Sequence, residues 1–200
     1  MKKVLFVVLV VVLTIGCKAN QNKSDDNKLC DSIVGLIQQG TLHNDTAMLL
    51  KALNLSDSLL SIDTASFSRR LCYHNRVIIL NSLGRKEEAM KNAEMEMNLL
   101  PEDNPQRLLF MAVKQLKEDE KDSADIYLEK VLSVCKLAQK QKFDENMVFY
   151  TIQALYLCYG DKTAKTYLLK LLNEHPNNQM LQYAKDNWGE LKRNILESWR

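Results

Sequence analysis

The sequence is short of residues that break regular structure and of residues that do chemistry. Of its 200 residues only six are glycine and three proline, so long turn-rich loops have little to be built from. Its three histidines, His43, His74 and His175, are isolated along the chain. There are no glycines of a phosphate loop, no G-x-S-x-G elbow, no H-E-x-x-H and no C-x-x-C. Acids are numerous, but no pair stands out as a general acid and base. These absences argue against an enzyme and against a metal or other cofactor. Neither sign of charge is in excess: setting aside Lys2 and Lys3, the 27 basic residues fall to 25, against 25 acidic ones. A balanced chain offers no electrostatic footprint for nucleic acid.

What remains is rich in Leu, Lys, Glu, Ala, Asn and Met, a composition that leans towards helix, in a length sufficient for one domain with a real core. The start is distinctive. Met1–Cys17 reads MKKVLFVVLVVVLTIGC, two lysines followed by an apolar run from Val4 to Leu13. That run is well short of the ~20 residues a spanning helix needs, and with its charged start it reads as a secretory signal peptide over residues 1–16. The ending resembles the lipobox of bacterial lipoproteins: small Gly16 directly precedes Cys17, although Thr14 replaces the usual leucine. The resemblance implies a diacylglycerol on the Cys17 thiol, cleavage after Gly16, and a protein held to a membrane of the bacterial cell envelope, the outer membrane being the expected one. Residues 17–27 then make a lipidated cysteine and a solvated tether, since KANQNKSDDN (18–27) has no large apolar side chain.

The rest of the chain is organised around LNSLGRKEEAMKNAEMEMNLLP, residues 80–101. Leu80 and Leu83 end one helix, and Gly84 supplies the left-handed residue that helix ends favour. Glu87 and Glu88 sit in the first turn of the next helix, where its dipole favours acids. Ala89, Ala93 and Met97 recur on one face at steps of four, and Pro101 stops the helix. This grammar resembles the tetratricopeptide repeat, with Tyr73, Val77, Leu80, Ala89, Ala93 and Pro101 in its pattern and Arg76 departing from it. Copies follow at Leu108, Met111, Ala112, Gln115, Ala124 and Leu128, and at Val148, Thr151, Ile152, Leu155, Ala164, Leu168 and Pro176. A weaker one precedes them at Ala52, Ser56, Leu59, Leu60 and Ile62. Ala89, Ala124 and Ala164 are 35 and 40 residues apart, against about 34 in the family. The resemblance implies an all-α fold, a right-handed superhelical stack of antiparallel helix pairs over residues 28–176, closed by a capping helix over 177–200.

In chain order the pattern predicts helices at 29–40, stopped by Gly40; from a cap at Asn44 or Asp45 to Ile62; at 68–83, with capping hydroxyls over Thr64–Ser68; and at 86–100, 105–118, 121–141, 145–158 and 162–174. A final helix follows a cap at Asn177 or Asn178. It carries Leu181, Ala184, Trp188, Leu191, Ile195 and Trp199 at steps of three and four. That stripe reads as the buried side of a cap in preference to an aromatic platform. Lys136, Lys140 and Lys142 read as a solvated face. Beyond Cys17, four cysteines remain. Cys135 and Cys158 fall at opposite ends of a hairpin, ~15 Å apart, too far for a disulfide. Cys30 and Cys72 both begin first helices of hairpins and could approach, with buried thiols as the default.

Such stacks use the first helix of each hairpin for recognition. The resemblance assigns to that concave face His74, Ile78 and Asn81, then Leu109, Val113 and Lys117, then Phe149, Gln153 and Tyr156. Apolar anchors among amides and a histidine suit an extended peptide or a partner helix. The alternative is that the chain's own first or last helix fills the face. The implied function is a membrane-anchored scaffold for a protein or peptide partner, with a glycan-binding or envelope-assembly accessory lipoprotein as the other reading. The anchor has a direct test. Cys17→Ser is expected to move the protein from the membrane to the soluble fraction and to abolish labelling by an alkynyl fatty acid; unchanged partitioning would overturn it.

Overall fold

The computed structural model describes residues 25–61 and 66–197, and every regular element among them is a helix. The elements are α1 (Asp25–His43), α2 (Thr46–Ser61), α3 (Ser66–Ser82), α4 (Lys86–Asn98), α5 (Pro105–Lys117), α6 (Lys121–Gln141), α7 (Glu145–Tyr159), α8 (Asp161–Glu174), α9 (Gln179–Asp186) and α10 (Trp188–Glu197). They form two compact units that divide between Leu99 and Leu100, beside the proline that closes α4. Within each unit, helices pack against their neighbours in chain order, a helical-repeat stack built from hairpins. Cys17, the tether up to residue 24, Ile62, the capping hydroxyl of Thr64 and Trp199 lie outside the described residues, whereas residues 25–27, read as tether, begin α1.

In the first unit, α1 to α4 bury Ile33, Ile37, Leu49, Leu59, Ile79 and Ala89 in one cluster. Asp45 caps α2 by accepting from the Ala47 and Met48 amides at 2.9 and 3.1 Å. Gly40 does not stop α1, which runs three residues further, to His43. Its role is packing: a Cβ at Gly40 would meet Leu49 Cγ at 2.9 Å, so the two helices of this hairpin can close only over a hydrogen atom. The left-handed residue that ends α1 is Asn44, at φ 51°. Gly84, at φ 73°, does the same for α3. Arg76, the residue that departs from the repeat pattern, is a polar clasp. Its Nε donates to Asn92 Oδ1 of α4 at 2.7 Å, and its Nη1 pairs with Asp57 of α2.

The second unit begins with Asn104 and Pro105, a cap and a first-turn proline; the Asn104 side chain accepts from the Gln106 amide at 2.9 Å. Asp144 and Asn178 cap α7 and α9 in the same way. The core falls into two clusters. One joins Leu108, Leu109, Leu128, Val131, Cys135 and Ala154. The other joins Val148, Ile152, Leu168, Leu171, Leu181 and Trp188. The expected single helix from 177 onward is broken at Asn187. There the side-chain amide donates to the Tyr183 carbonyl at 2.9 Å, in competition with the backbone, and the Asn187 carbonyl starts α10 by accepting from Glu190 and Leu191.

Ala89, Ala124 and Ala164 are all buried where hairpin helices meet. A leucine at any of them has no room and is expected to cost ~1–3 kcal/mol. Lys91, exposed on α4, is expected to accept alanine within ~0.5 kcal/mol. Denaturant melts with equal losses at both kinds of position would contradict this packing.

Candidate interaction surface

The residues assigned to the recognition face fall into two groups, one in each unit. In the first, His74, Ile78 and Asn81 follow one another along α3. Asn81 is exposed, while Ile78 is half-buried against the cluster of α1 to α4. The His74 imidazole does not stand open: its Nδ1 lies 3.2 Å from a carboxylate oxygen of Glu96, which is 6% exposed on α4. Glu96 escaped the sequence reading, which singled out only Glu87 and Glu88 among the acids of this helix. Its position carried the signal, since it lies seven residues after Ala89 and next to Met97, on the face that packs.

In the second unit the assignment needs correction. Leu109 and Val113 are 1% and 7% exposed, so they are core and not surface. Leu109 packs with Leu128, Val131 and Ala154 because α5 sits against both α6 and α7, which covers more of its circumference than a single hairpin partner would. Lys117, at the end of α5, is exposed. On α7, Phe149, Gln153 and Tyr156 are half-buried. Phe149 and Tyr156 pack against the cluster that contains Leu181 and Trp188, not against the one that holds Leu109. Leu109, Val113, Phe149 and Tyr156, all assigned to the recognition face, therefore do not share one exposed surface.

The chain's own C-terminal helices partly cover this side of α7. Trp188 is buried, and its indole N–H donates to Asp161 Oδ1 at 3.0 Å; Lys192 Nζ meets the same oxygen at 2.8 Å. Hydrogen bonds from Lys192 and Trp188 hold the Asp161 carboxyl below the usual carboxylate range. The Asp161 hydrogen bond raises Lys192, with a smaller contribution from the phenol of Tyr156, so α10 passes within electrostatic reach of that ring. Behind it, a relay of side chains ties three helices together. The Tyr167 hydroxyl of α8 donates to Gln139 Oε1 at 2.8 Å, Gln139 Nε2 donates to Thr151 Oγ1 at 3.2 Å, and the Thr151 hydroxyl donates to the Met147 carbonyl at 2.7 Å. Gln139 lies among Lys136, Lys140 and Lys142, which the sequence reading placed on a solvated face, and nothing in the pattern singled it out. An open groove of about 440 Å³ is lined by Leu155 of α7 and by Lys162, Thr163, Thr166, Tyr167 and Lys170 of α8.

Three thiols and one phenol are tuned away from nucleophilic chemistry at neutral pH. Burial pushes the Cys72 thiol up to about 11 and raises Cys135 and Cys158 as well. A hydrogen bond to Glu129 pushes the exposed Tyr159 phenol up to about 12. Among the described residues, no group of three or more His, Cys, Asp or Glu side chains is placed to hold a metal ion, and no helix is long and apolar enough to cross a membrane. Comparison with protein-family models, with curated proteins and with solved structures finds no match to this chain.

The Asp161 contacts give the C-terminal helices a pH window. The lowered carboxyl adds stability above its ordinary value of 3.8, and this is lost as pH falls through the folded value. The raised ammonium adds stability below its ordinary value of 10.5, lost as pH rises through the folded value. In a Trp199→Phe background, Trp188 fluorescence is expected to stay that of a buried indole between these limits and to shift towards the exposed form in acid. Asp161→Asn is expected to remove much of that acid dependence. An unchanged acid profile in the Asn variant would show that the carboxylate does not hold α10.

Proposed function

We propose that this chain is a lipid-anchored lipoprotein of the bacterial cell envelope whose helical repeats, resembling tetratricopeptide repeats, form a scaffold for a protein or peptide partner. One observation carries the reading. The first helices of the hairpins keep side chains of mixed character in contact with water: Ile78 and Asn81 on α3, Lys117 on α5, and Phe149, Gln153 and Tyr156 on α7. Half-buried aliphatic and aromatic groups give a partner apolar contact without a large ordering cost, because the core already fixes their rotamers. The neighbouring amides and ammonium provide direction and register. Hairpins stacked in chain order, with alanines buried at their contacts, support the resemblance. The N-terminal seventeen residues support the anchor.

Because Phe149 and Tyr156 also pack against the terminal cluster, truncating them would weaken folding as well as binding, so polar positions outside the core clusters make the better probe. A photo-crosslinking amino acid is placed in cells at Asn81, Lys117 or Gln153, with Lys91 as the control. A discrete protein adduct at one or more of the three positions, absent at Lys91, is the expected result. Adducts at none of the three, or the same adducts at Lys91, would overturn the scaffold reading. A fluorescence response of the purified protein to an oligosaccharide panel, without protein adducts, would replace it with glycan binding.

A further inference from the structure

We propose that Cys30 and Cys72 are a disulfide site that joins α1 to α3, closed while the chain folds by exchange with a small-molecule or protein disulfide. The two residues belong to the same core cluster, and each is buried there, at 4% and 0% exposure. Their helices touch directly, past the intervening hairpin partner α2. Both helices end on a left-handed residue, Asn44 and Gly84. Cys30 lies fourteen positions before the first and Cys72 twelve before the second, a mismatch of two residues. At ~1.5 Å per residue that is ~3 Å along the axis. Helices ~8–10 Å apart, with Cα atoms ~2.3 Å off each axis, bring facing Cα atoms to within about the 4.4–6.8 Å a disulfide requires. Cys30 also lies near enough to be among the groups that oppose ionisation of the Cys72 thiol.

The present partner of Cys72 is one it can leave. Its thiol donates to the Ser56 carbonyl at 3.3 Å. That carbonyl lies inside α2, where helical geometry gives it the amide of residue 60, so turning the sulfur towards Cys30 strands no acceptor. The raised, buried thiol is a poor nucleophile in the closed fold, which places the reaction before α1, α2 and α3 have packed. Thiolate attack on the donor disulfide gives a mixed disulfide and releases one thiol. The second cysteine then displaces the other, so the protein loses two hydrogens and the donor disulfide becomes two thiols. Cys135 and Cys158 have no such relation: Cys158 sits beside Asp125, and Cys135 beside Thr151, near opposite ends of the α6–α7 pair.

The test does not depend on where the protein resides in the cell. Full-length Cys17→Ser protein is unfolded with reductant, refolded in a buffer of reduced and oxidised glutathione, alkylated, and digested with trypsin without reduction. Cleavage after Lys28, Lys51, Arg70 and Arg76 isolates Cys30 in peptide 29–51 and Cys72 in peptide 71–76. The expected product is these two peptides joined, two hydrogens lighter than their sum, with Cys135 and Cys158 alkylated. Alkylation of both Cys30 and Cys72, or their bridging to another cysteine or to glutathione, would overturn the proposal. As a second readout, the oxidised protein is expected to melt several degrees above the same sample after reduction, with no such difference in a Cys30→Ala chain. Equal melts for oxidised and reduced protein would also overturn it.

Discussion

Helices can lie close along a hairpin only where one of them gives up its side chain, and the repeats in both units rest on that concession. Ala89, Ala124 and Ala164 are each buried where hairpin helices meet, and Gly40 takes the idea further by leaving only a hydrogen atom opposite Leu49. Close contact at these points lets the larger residues on either side, Ile33 and Leu59 in one unit and Leu128 and Leu168 in the other, become fully buried. Each such side chain contributes about 1.5–3 kcal/mol when removed from water. The polar clasps are secondary to this. Arg76 can reach Asp57 and Asn92 together because packing has already brought α2 and α4 to either side of α3.

Much of this was legible because it depends on neighbours in sequence. The helix starts at Pro105 and Glu145, the positive φ at Gly84, and the period of apolar residues on each helix are local properties, and they are where the pattern placed them. What could not be read depends on a third partner. Leu109 and Val113 looked like surface because a helix in one hairpin has an outer side; α7 covers that side of α5 as well as α6 does. Gly40 looked like a terminator because glycine usually is one, and only the position of Leu49 shows it to be a spacer. Gln139 and Glu96 are polar residues whose roles are fixed by a hydroxyl or an imidazole that sequence distance conceals.

The candidate surface is shaped by the same competition between open face and self-contact. Phe149 and Tyr156 are held by the terminal cluster, yet they keep part of each ring in water. Burying an indole the size of Trp188 contributes ~3–5 kcal/mol by the cost of truncating one, so the apolar contact fixes α9 and α10 to α8. The exposed charges at Asp161 and Lys192 mainly aim that contact. The candidate surface on α7 is thus bounded by the terminal cluster and wet at its centre, with Gln153 between the two rings.

The relay from Tyr167 through Gln139 to Thr151 sets an order of local opening. Tyr167 donates, while Gln139 and Thr151 each donate and accept, so α8 cannot move away from α6 without leaving a half-buried amide oxygen unpaired, and α6 cannot move from α7 without taking a donor from a hydroxyl. The polar side-chain contacts of Trp188 and Lys192 in α10 converge instead on one exposed residue, Asp161. Thermal fluctuations consequently divide the unit into a slow inner part, α6 to α8, and a faster outer part that begins at the break in Asn187. Amide hydrogens of α10 should exchange with solvent while those around Thr151 are still protected, and the ribbon nearest the candidate surface is thus the first to yield.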